Sequence, residues 1–396
     1  MLAVLALAVL PHFALAATER PRVVQQAEAS LAAAPHTIVE ARNPRSAGGL
    51  HDFSSDADYW WPDPKNPDGP YIQRDGLSNP GNFLAHRALL LPFVRHFGAL
   101  AAAYKLTHDE RYATAAVKHL HAWFVDPATK MNPNLQYSQA IRNLNTGRSI
   151  GVIDTLHLCE VALGVEALRG SKAFPKDEDA AVTGWFRDYL AWLRTHPFGI
   201  EESKAKNNHG TCAWLQIACF AHVTGDEATL AECRRHLKEV LLPSQMVADG
   251  SFPEELRRTK PYGYSIFNLD VMTALAVVLS TKEENLLTWS LPDGRNLVQG
   301  VAWLAPYIAD KNAWLKNVHR TIPTAGQPLP VVSDELVKPD VMYWDNWPVR
   351  QPSLLFGALA AGREDWLTTW KKLDPDPEVE EIRRNFPIRQ PVLWVK

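Results

Sequence analysis

The feature that most limits the fold of this chain is a helical spacing of apolar residues that recurs from residue 83 to residue 308. Within each segment the apolar side chains return three and four positions apart, which places them on one face of a helix. Short loops containing Gly, Pro or Asp separate most segments, and no convincing alternating β pattern of useful length occurs before residue 328. The predicted helices are Phe83–Lys105, Tyr112–Phe124, Ile150–Leu168, Ala180–Leu193, Thr211–Val223, Ala228–Leu242, Ser265–Leu279 and Leu297–Ile308.

A weak internal repeat accompanies this spacing. Three junctions combine an apolar helix, a polar turn and an acidic residue that opens the next helix, at Asp109-Glu110, at Asp226-Glu227 and, more loosely, at Asp365. An acidic residue in that place favours a helix N-terminus. Stacked helical hairpins bury one face on their neighbours, and closing the stack into a ring leaves a cleft at one rim. We therefore predict an all-α toroid of helical hairpins.

Residues 40–82 differ from the rest of the chain. They are rich in Pro, Gly, Asp and Asn, which excludes a long helix, and they contain the consecutive aromatics Tyr59, Trp60 and Trp61. Loops of that length are usually functional. We expect a long ordered arm, with Trp60 and Trp61 available to stack on sugar rings.

The first sixteen residues are typical of a secretory signal peptide. The apolar run from Leu2 to Leu10 is too short to span a bilayer, and the small-x-small pattern Ala14-Leu15-Ala16 follows it. The segment lacks a Lys or Arg near Met1. We expect export to the periplasm or the medium, no membrane insertion, and a mature chain of residues 17–396 that forms one catalytic domain.

Charge and cysteine content exclude several functions. The chain of 396 residues has 41 basic and 44 acidic side chains, a net charge of −3, so no basic excess indicates nucleic-acid binding. Its four cysteines lack the paired spacing of zinc or redox motifs, and we expect buried free thiols. The histidines do not form a pair four residues apart with a Glu, so no metal site is predicted.

Two polar segments precede the middle of the chain. In the first, Arg74 and the aromatics of 59–76 could line a cleft or belong to a packed surface loop. In the second, Arg148 stands just before a predicted helix, where it could contact an anion or cap a neighbouring helix.

Two further segments carry more chemistry. In 204–211, Asn208 and His209 stand at a helix entrance beside Lys206, a combination that favours a functional role over a structural one. In 254–265, carboxylates are followed by Arg258, Lys260, Tyr262 and Tyr264. A solvated charged face rarely includes two tyrosines, so this segment also favours a functional role.

Together these two segments suit β-elimination of a uronic-acid polymer, which removes the proton at C5 and expels the oxygen at C4. Asn, His and Arg donors can neutralise the sugar carboxylate. A neutral His or an ionised Tyr can take the proton, and a Tyr can protonate the leaving oxygen. Because Arg258 and Lys260 stand close in sequence, we expect them to favour the phenolate form of a neighbouring Tyr.

The ordered motifs resemble the alginate lyase family, and more narrowly its branch of mannuronan and glucuronan lyases. The resemblance runs from about residue 40 to 310 and implies an incomplete (α/α) toroid, with the polymer bound in a cleft across one end and no cofactor. The motifs that carry it are Tyr59-Trp-Trp-Pro-Asp-Pro, Pro67-Asp-Gly, Tyr71-Ile, Arg74-Asp-Gly, Gly147-Arg-Ser-Ile-Gly-Val-Ile-Asp-Thr155, Asn207-Asn-His-Gly-Thr211, Arg258-Thr-Lys260, Tyr264-Ser and Phe267-Asn-Leu269.

The resemblance also implies roles for single residues. Asn208 and His209 match the pair that neutralises the carboxylate, and His209 is also a candidate base. Arg258 matches the arginine of the catalytic site. Tyr264 matches the tyrosine that protonates the leaving oxygen and that could also remove the C5 proton. Gly263 stands where many relatives have His, and Tyr262 is close enough to compete with Tyr264 for the role.

The predicted partner is therefore an anionic polysaccharide, held by a local positive cleft within an acidic chain; the oligomeric state is not predicted. The residues expected to bind it are Trp60, Trp61, Arg74, Arg148, Lys206, Lys260 and Tyr262.

Two other functions fit part of the pattern. A glycoside hydrolase of uronic-acid oligosaccharides on a similar toroid would need two carboxylates beside the scissile bond, for which Asp154, Glu254 and Glu255 are available. A non-catalytic polyuronate-binding protein would use the same aromatics and cations without shortening the polymer.

Overall fold

The computed structural model describes residues 13–317, 340 and 342–395, and the backbone of 323–324 and 327–328. Most of the predicted signal peptide lies outside the described residues. The first helix begins at Leu15 and therefore passes through the predicted cleavage point after Ala16.

Helices dominate the described chain and confirm the predicted all-α toroid of helical hairpins. In chain order they are α1 (Leu15–Ser30), α2 (Ala85–Thr107), α3 (Glu110–Leu120), α4 (Leu158–Leu168), α5 (Lys176–Thr195), α6 (Pro197–Glu202), α7 (Asn208–Thr224), α8 (Glu227–His236), α9 (Leu242–Gln245), α10 (Pro253–Leu256), α11 (Pro261–Leu279), α12 (Leu297–Ala309), α13 (Lys311–Asn317), α14 (Pro352–Ala361), α15 (Glu364–Lys372), α16 (Glu380–Arg384) and α17 (Pro391–Trp394).

The long helices form two layers around one hydrophobic core. In the inner layer α2, α4, α7, α11 and α14 pack each on the next. In the outer layer α1 and α3 cover α2, α5 and α8 cover α7, and α12 and α15 cover α14. The last helix, α17, packs on α2, α4 and α11. Helix α11 is long and apolar enough to cross a membrane, but 94% of it is buried inside the protein, as expected of a central core helix.

The acidic junctions of the repeat form as predicted at two of the three sites. Asp109 and Asp226 cap α3 and α8, their carboxylates accepting hydrogen bonds from Arg111 N and Thr229 N. At the third junction Arg363 is the N-cap of α15, and Asp365 lies within the first turn. An acidic residue there still favours the helix N-terminus through the helix dipole.

One predicted helix is broken in two. The segment Ile150–Leu168 forms a 3-10 helix at Ser149–Thr155 and then α4. The chain at Gly151 lies so close to Ser138 that a Cβ would come within 2.5 Å of the Ser138 Cβ. This close approach presses the first half of the segment against the neighbouring strand, away from the axis of α4. The predicted helices 112–124 and 228–242 also depart from α geometry, at π turns His121–Val125 and Leu237–Leu241.

The arm of residues 40–82 is ordered, as expected, and short strands fix its course. Strand β1 (Ser54–Asp56) pairs in parallel with β4 (Tyr137–Ala140), and β2 (Trp60–Trp61) pairs antiparallel with β3 (Ile72–Gln73). A last hairpin joins β5 (Pro323–Thr324) to β6 (Gln327–Pro328), and short 3-10 turns lie at Ile38–Glu40 and Trp344–Asn346. Cys159, Cys212, Cys219 and Cys233 are free and buried, as predicted.

Candidate active site

A cavity of about 450 Å³ lies where the N-terminal ends of α7 and α11 meet the arm. The positive ends of helix dipoles favour anions, so the position alone suits an acidic ligand. Six predicted site residues, from segments far apart in the sequence, line this cavity: Trp60, Arg148, Asn208, His209, Arg258 and Tyr264.

Five predicted binding residues do not line it: Trp61, Arg74, Lys206, Lys260 and Tyr262. The Trp61 indole Nε1 donates to Leu77 O at 2.9 Å, and the Arg74 guanidinium stacks over the Trp61 ring at 5.4 Å. Lys206 is exposed. Trp61 and Arg74 contact each other in the β2–β3 hairpin and Lys206 extends into solvent, so substrate binding by these three residues outside the cavity stays a prediction.

The prediction for Tyr262 is wrong. Its side chain is fully buried, its hydroxyl donates to Tyr307 O at 2.9 Å, and its ring packs against Trp314. Successive helical residues are about 100° apart, so Tyr262 and Tyr264 face different sides of α11. Tyr262 therefore belongs to the core and does not compete for the catalytic role.

Lys260 lies behind the cavity and not in it. It is buried, and its Nζ is 2.6 Å from Glu381 Oε1 and 5.4 Å from the centre of the Tyr59 ring. Its ammonium is therefore neutralised by Glu381, and we correct the prediction that it binds substrate directly.

Tyr264 is the centre of the polar network. Arg258 Nη2 donates to the Tyr264 hydroxyl at 2.8 Å, and the guanidinium lies 4.0 Å from the centre of the ring. The Tyr264 hydroxyl in turn donates to the Tyr59 hydroxyl at 3.2 Å. Asp75 fixes Arg258 through an ion pair of 2.7 Å. The phenol is thus held by an arginine from the same segment and by a tyrosine of the arm.

Burial decides the protonation of this phenol. Burial raises the pKa of Tyr264 well above its usual value, the nearby Tyr59 raises it further, and Arg258 lowers it less than burial raises it. Arg258 favours the phenolate, as expected of a neighbouring cation, but burial has the larger and opposite effect. Tyr264 rests as a neutral phenol, which can donate a proton. Burial lowers the pKa of Arg258, but Tyr264 and Asp75 raise it by more, so Arg258 stays charged.

His209 is oriented by a buried carboxylate. Its Nδ1 lies 2.6 Å from Glu202 Oε1 at the end of α6. When Nδ1 carries the proton that this contact shares, Nε2 is left with its lone pair for the cavity. The Asn207 side chain accepts from His209 N and caps α7, which explains the position of the imidazole at the entrance of the helix.

Asn208 is held by a second buried carboxylate. Its backbone N and its Nδ2 donate to the two oxygens of Glu255 at 2.6 and 2.7 Å. Burial raises the pKa of Glu255 to about 7, although the hydrogen bonds from Asn208 and the charge of Arg258 lower it. Glu255 therefore orients the amide from behind and does not itself line the cavity.

Arg148 lies on another wall. Its Nε and Nη2 donate to the carbonyl and side-chain oxygens of Gln139 at 3.1 and 3.0 Å, and it stacks over Trp60 at 5.7 Å. A Cβ on residue 147 would lie 2.0 Å from Gln136 O, so only Gly147 permits this path of the chain. Gln139 itself has a positive φ of 51°, a strained backbone at the site.

Sequence reasoning missed two residues that support Tyr264. The Tyr59 hydroxyl accepts from Arg384 Nη2 at 2.8 Å, and Arg384 also pairs with Asp58. Asp58 receives two hydrogen bonds from Arg87, and these charges lower its pKa to about 2 against the effect of burial. Tyr59 could have been found from its position beside the two tryptophans in the sequence. Arg384 had no such signal, because it lies in a charged run, Glu380–Arg384, that is typical of a solvated surface.

The carboxylates offered for a hydrolase are not placed as a flanking pair. Glu254 is exposed and paired with Arg257, and Glu255 is occupied by Asn208. Asp154 lines the cavity but accepts hydrogen bonds from Ser55 and Gln139. Among the described residues no group of three or more His, Cys, Asp or Glu is placed to hold a metal ion.

Comparison with known proteins agrees with this geometry. The family model of alginate lyases matches residues 37–314. An alginate lyase from Bacteroides ovatus is 28% identical, with a TM-score of 0.74 over 96% of this chain and 93% of that one. Alginate lyase A1-III, of Sphingomonas species A1, is similar in fold: a variant complexed with a tetrasaccharide is 14% identical, with a TM-score of 0.51 over 84% of both chains. Comparison with curated proteins gives no match. With the family model covering more than half of its length, the chain belongs to the alginate lyase family.

Proposed function

We propose that this protein is an exported polysaccharide lyase that cleaves a β-1,4-linked polyuronate, alginate or glucuronan, by β-elimination. The observation that carries the proposal is the neutral phenol of Tyr264, bonded to Arg258 in the same cavity as Asn208 and His209. This set supplies donors for a carboxylate, a base and an acid within one site.

The reaction begins with neutralisation of the sugar carboxylate. Removing the C5 proton places negative charge on that carboxylate, so donors aimed at it stabilise the transition state more than the ground state. Asn208 supplies an amide donor from the entrance of α7, and His209 adds a second donor only if it does not serve as the base, because a basic Nε2 presents a lone pair to the cavity. Glu255 and Glu202 hold these two groups in place before substrate arrives.

The second step transfers two protons. A base removes the C5 proton, the C4–O bond breaks with formation of the C4=C5 double bond, and Tyr264 gives its proton to the leaving oxygen. Two groups can act as the base: His209 through Nε2, or Tyr264 itself once it has lost its proton. The resting neutral state of the phenol favours Tyr264 as the acid and His209 as the base.

The test is a panel of polymannuronate, polyguluronate, glucuronan and hyaluronan, followed by the ultraviolet absorbance of the 4,5-unsaturated product. A lyase raises this absorbance on at least one of the first three and consumes no water. Chain shortening without new absorbance would support a hydrolase, and tight binding without shortening would support a polyuronate-binding protein. Either result would overturn the proposal.

Export is part of the proposal because a polymer meets the enzyme outside the cytoplasm. The support is the apolar segment before Ala16 and the small-x-small pattern Ala14-Leu15-Ala16. Expression in a bacterial host with separate recovery of the periplasm and medium tests it. A mature protein that starts at Ala17 in either fraction is expected, and a full-length protein confined to the cytoplasm would contradict it.

A further inference from the structure

A second cavity, of about 300 Å³, lies between α1, α2 and the segment around α16. None of the residues that line the catalytic cavity lines this one. Three arginines reach it from three parts of the chain: Arg95 on α2, Arg383 at the end of α16, and Arg389 beyond it. The catalytic site does not explain why three arginines line this second cavity.

The protein itself does not satisfy these guanidinium groups. Arg389 is only 9% exposed, and its buried Nε has no hydrogen-bond partner within the described chain. Its Nη2 donates to Arg383 O at 3.1 Å, and Arg383 Nε donates to Pro377 O at 2.7 Å. Arg95 is exposed to solvent and has no protein acceptor within hydrogen-bond distance among residues 13–317, 340 and 342–395. Unsatisfied donors remain on all three side chains.

The lining carries three arginines against two carboxylates, Asp376 and Glu378. Asp376 is already engaged, since its Oδ1 accepts from Arg22 at 3.0 Å and from Gln26 at 2.5 Å. Glu378 at the rim is exposed to solvent. Burial lowers the pKa of Arg389 to about 10, with the neighbouring arginines adding to the effect and Glu160 opposing it, so the group remains a cation at neutral pH. Burying a cation such as Arg389 with incomplete pairing is costly, and a bound anion would offset that cost.

The other lining groups suit a sugar. The side chains of Gln26, Ser30 and Gln390 lie beside the arginines, and His96 Nδ1 is 3.0 Å from Ser30 Oγ. Amides and hydroxyls of this kind exchange hydrogen bonds with sugar hydroxyls, while guanidinium groups pair with a carboxylate. The volume lies at the lower end of the range for small-molecule sites, about 300–1,000 Å³.

We propose that this second cavity is a binding site for a small uronate sugar, separate from the catalytic cavity. The choice of a uronate rests on the proposed function, because the lyase reaction releases such sugars; the cationic cavity itself does not rest on it. Its position has a mechanical consequence. Arg383 faces this cavity while the next residue, Arg384, faces the catalytic one, so a ligand here contacts the helix that holds Tyr59.

The experiment uses the full-length protein labelled at alanine methyl groups and titrated with D-glucuronate. Ala29 and Ala99 line the second cavity, and no alanine lines the catalytic one, so their signals report the second site alone. Saturable shifts of both signals are expected. Arg95→Gln, which removes no hydrogen bond of the described structure, should weaken binding at least ten-fold. Arg187→Gln, an exposed arginine on α5, is the matched control and should bind as wild type does.

Three results would overturn the proposal. The Ala29 and Ala99 signals could fail to move, Arg95→Gln could bind as tightly as wild type, or glucose or inorganic phosphate could produce the same shifts at the same concentrations. Equal shifts with glucose would show that the site does not recognise the carboxylate. Equal shifts with phosphate would show that the site binds anions in general. The measurement needs no turnover, so a protein without lyase activity still gives an answer.

Discussion

At the residue scale, Tyr264 is held by Arg258 and Tyr59, and a carboxylate holds each of the other three groups assigned to catalysis. Asp75 holds Arg258, Glu202 holds His209 and Glu255 holds Asn208. Each of these carboxylates belongs to a different stretch of chain from the others, and each accepts a hydrogen bond that leaves the opposite edge of its partner free. The geometry of the site is therefore set before substrate binds, which lowers the entropy cost of reaching the transition state.

The first prediction concerns the two tyrosines of α11. Tyr264→Phe removes the acid and should lower kcat by about 10²–10⁴-fold with the fold intact. Tyr262→Phe is the control, because its hydroxyl bonds a core carbonyl; turnover should stay near wild type while stability falls by about 1 kcal/mol. Initial rates of product absorbance and urea unfolding measure both. Loss of turnover in Tyr262→Phe alone would contradict the assignment.

The second prediction concerns the partner of His209. Glu202→Gln keeps an acceptor near Nδ1 but removes the charge that supports an imidazole as it gains a proton. We expect kcat to fall at least ten-fold with a smaller change in KM. Glu201→Gln, at the exposed neighbouring position, should behave as wild type. Equal kinetics for the two variants would show that the Glu202 charge is not needed.

The sequence predicted the residues that belong to contiguous motifs and missed those that do not. Asn208, His209, Arg258 and Tyr264 lie beside helix entrances, where their polarity interrupts the apolar spacing. Arg384 could not be predicted, because its partner Tyr59 is more than three hundred residues away and only the fold brings them together. Tyr262 was misplaced because a two-residue separation in sequence does not show that the side chains face apart on a helix.

At the element scale, the entrance of α7 explains why the Asn-Asn-His-Gly order suits this site. Asn207 caps the helix, Asn208 and His209 follow in its first turn, and Gly210 lies against the preceding turn. A Cβ on residue 210 would be 2.0 Å from Ala205 O, so a larger residue would push the turn away from the helix.

The third prediction follows from this contact. Gly210→Ala should lower kcat strongly and destabilise the protein, because the backbone carbonyl of Ala205 cannot move without displacing Asn208 and His209. Gly184→Ala on α5 is the control, since no atom lies within 4 Å of its added Cβ. A helical Ala there should stabilise by about 0.5–1 kcal/mol and leave turnover unchanged. Thermal unfolding and initial rates measure both, and normal turnover in Gly210→Ala would refute the argument.

Helix length, more than burial, decided which helices could be predicted from the sequence. The predicted segments up to residue 308 have matching helices or turns within a few residues. Helix α14 was missed because it has only ten residues and is buried at nearly every position, whereas α11, buried to a similar extent, has nineteen residues and was predicted. Helices α16 and α17 are only five and four residues long, below the length at which spacing is informative.

At the scale of the whole molecule, buried polar contacts tie the C-terminal segment to the toroid. Asp270 on α11 accepts from Ser353 N at the start of α14 at 3.0 Å, and Glu160 on α4 accepts from Arg389 N and from the Trp394 indole. The segment thus joins two inner helices and delivers Arg384 to the catalytic cavity. The matched family region ends at residue 314, so this closure is supplied by chain beyond it.

The fourth prediction concerns the pH dependence of stability. Burial raises the pKa of Asp270 to about 7, above the value of about 4 for an unfolded Asp, so its contribution is full below pH 4 and is lost as pH rises to 7. Asp270→Asn keeps the acceptor and cannot ionise. The free energy of unfolding of Asp270→Asn should therefore increase relative to that of wild type as the pH rises from 4 to 7. The exposed control Asp188→Asn should show no such trend in urea unfolding, and a constant difference for Asp270→Asn would contradict the prediction.

The late position of Arg384 has a consequence for how the protein is made. Among the described helices, the inner ones all precede α16 in the chain, so a polypeptide still on the ribosome has no Arg384 guanidinium to bind Tyr59. The hydrogen bond that supports the Tyr59–Tyr264 pair therefore forms only after all five inner helices have been synthesised.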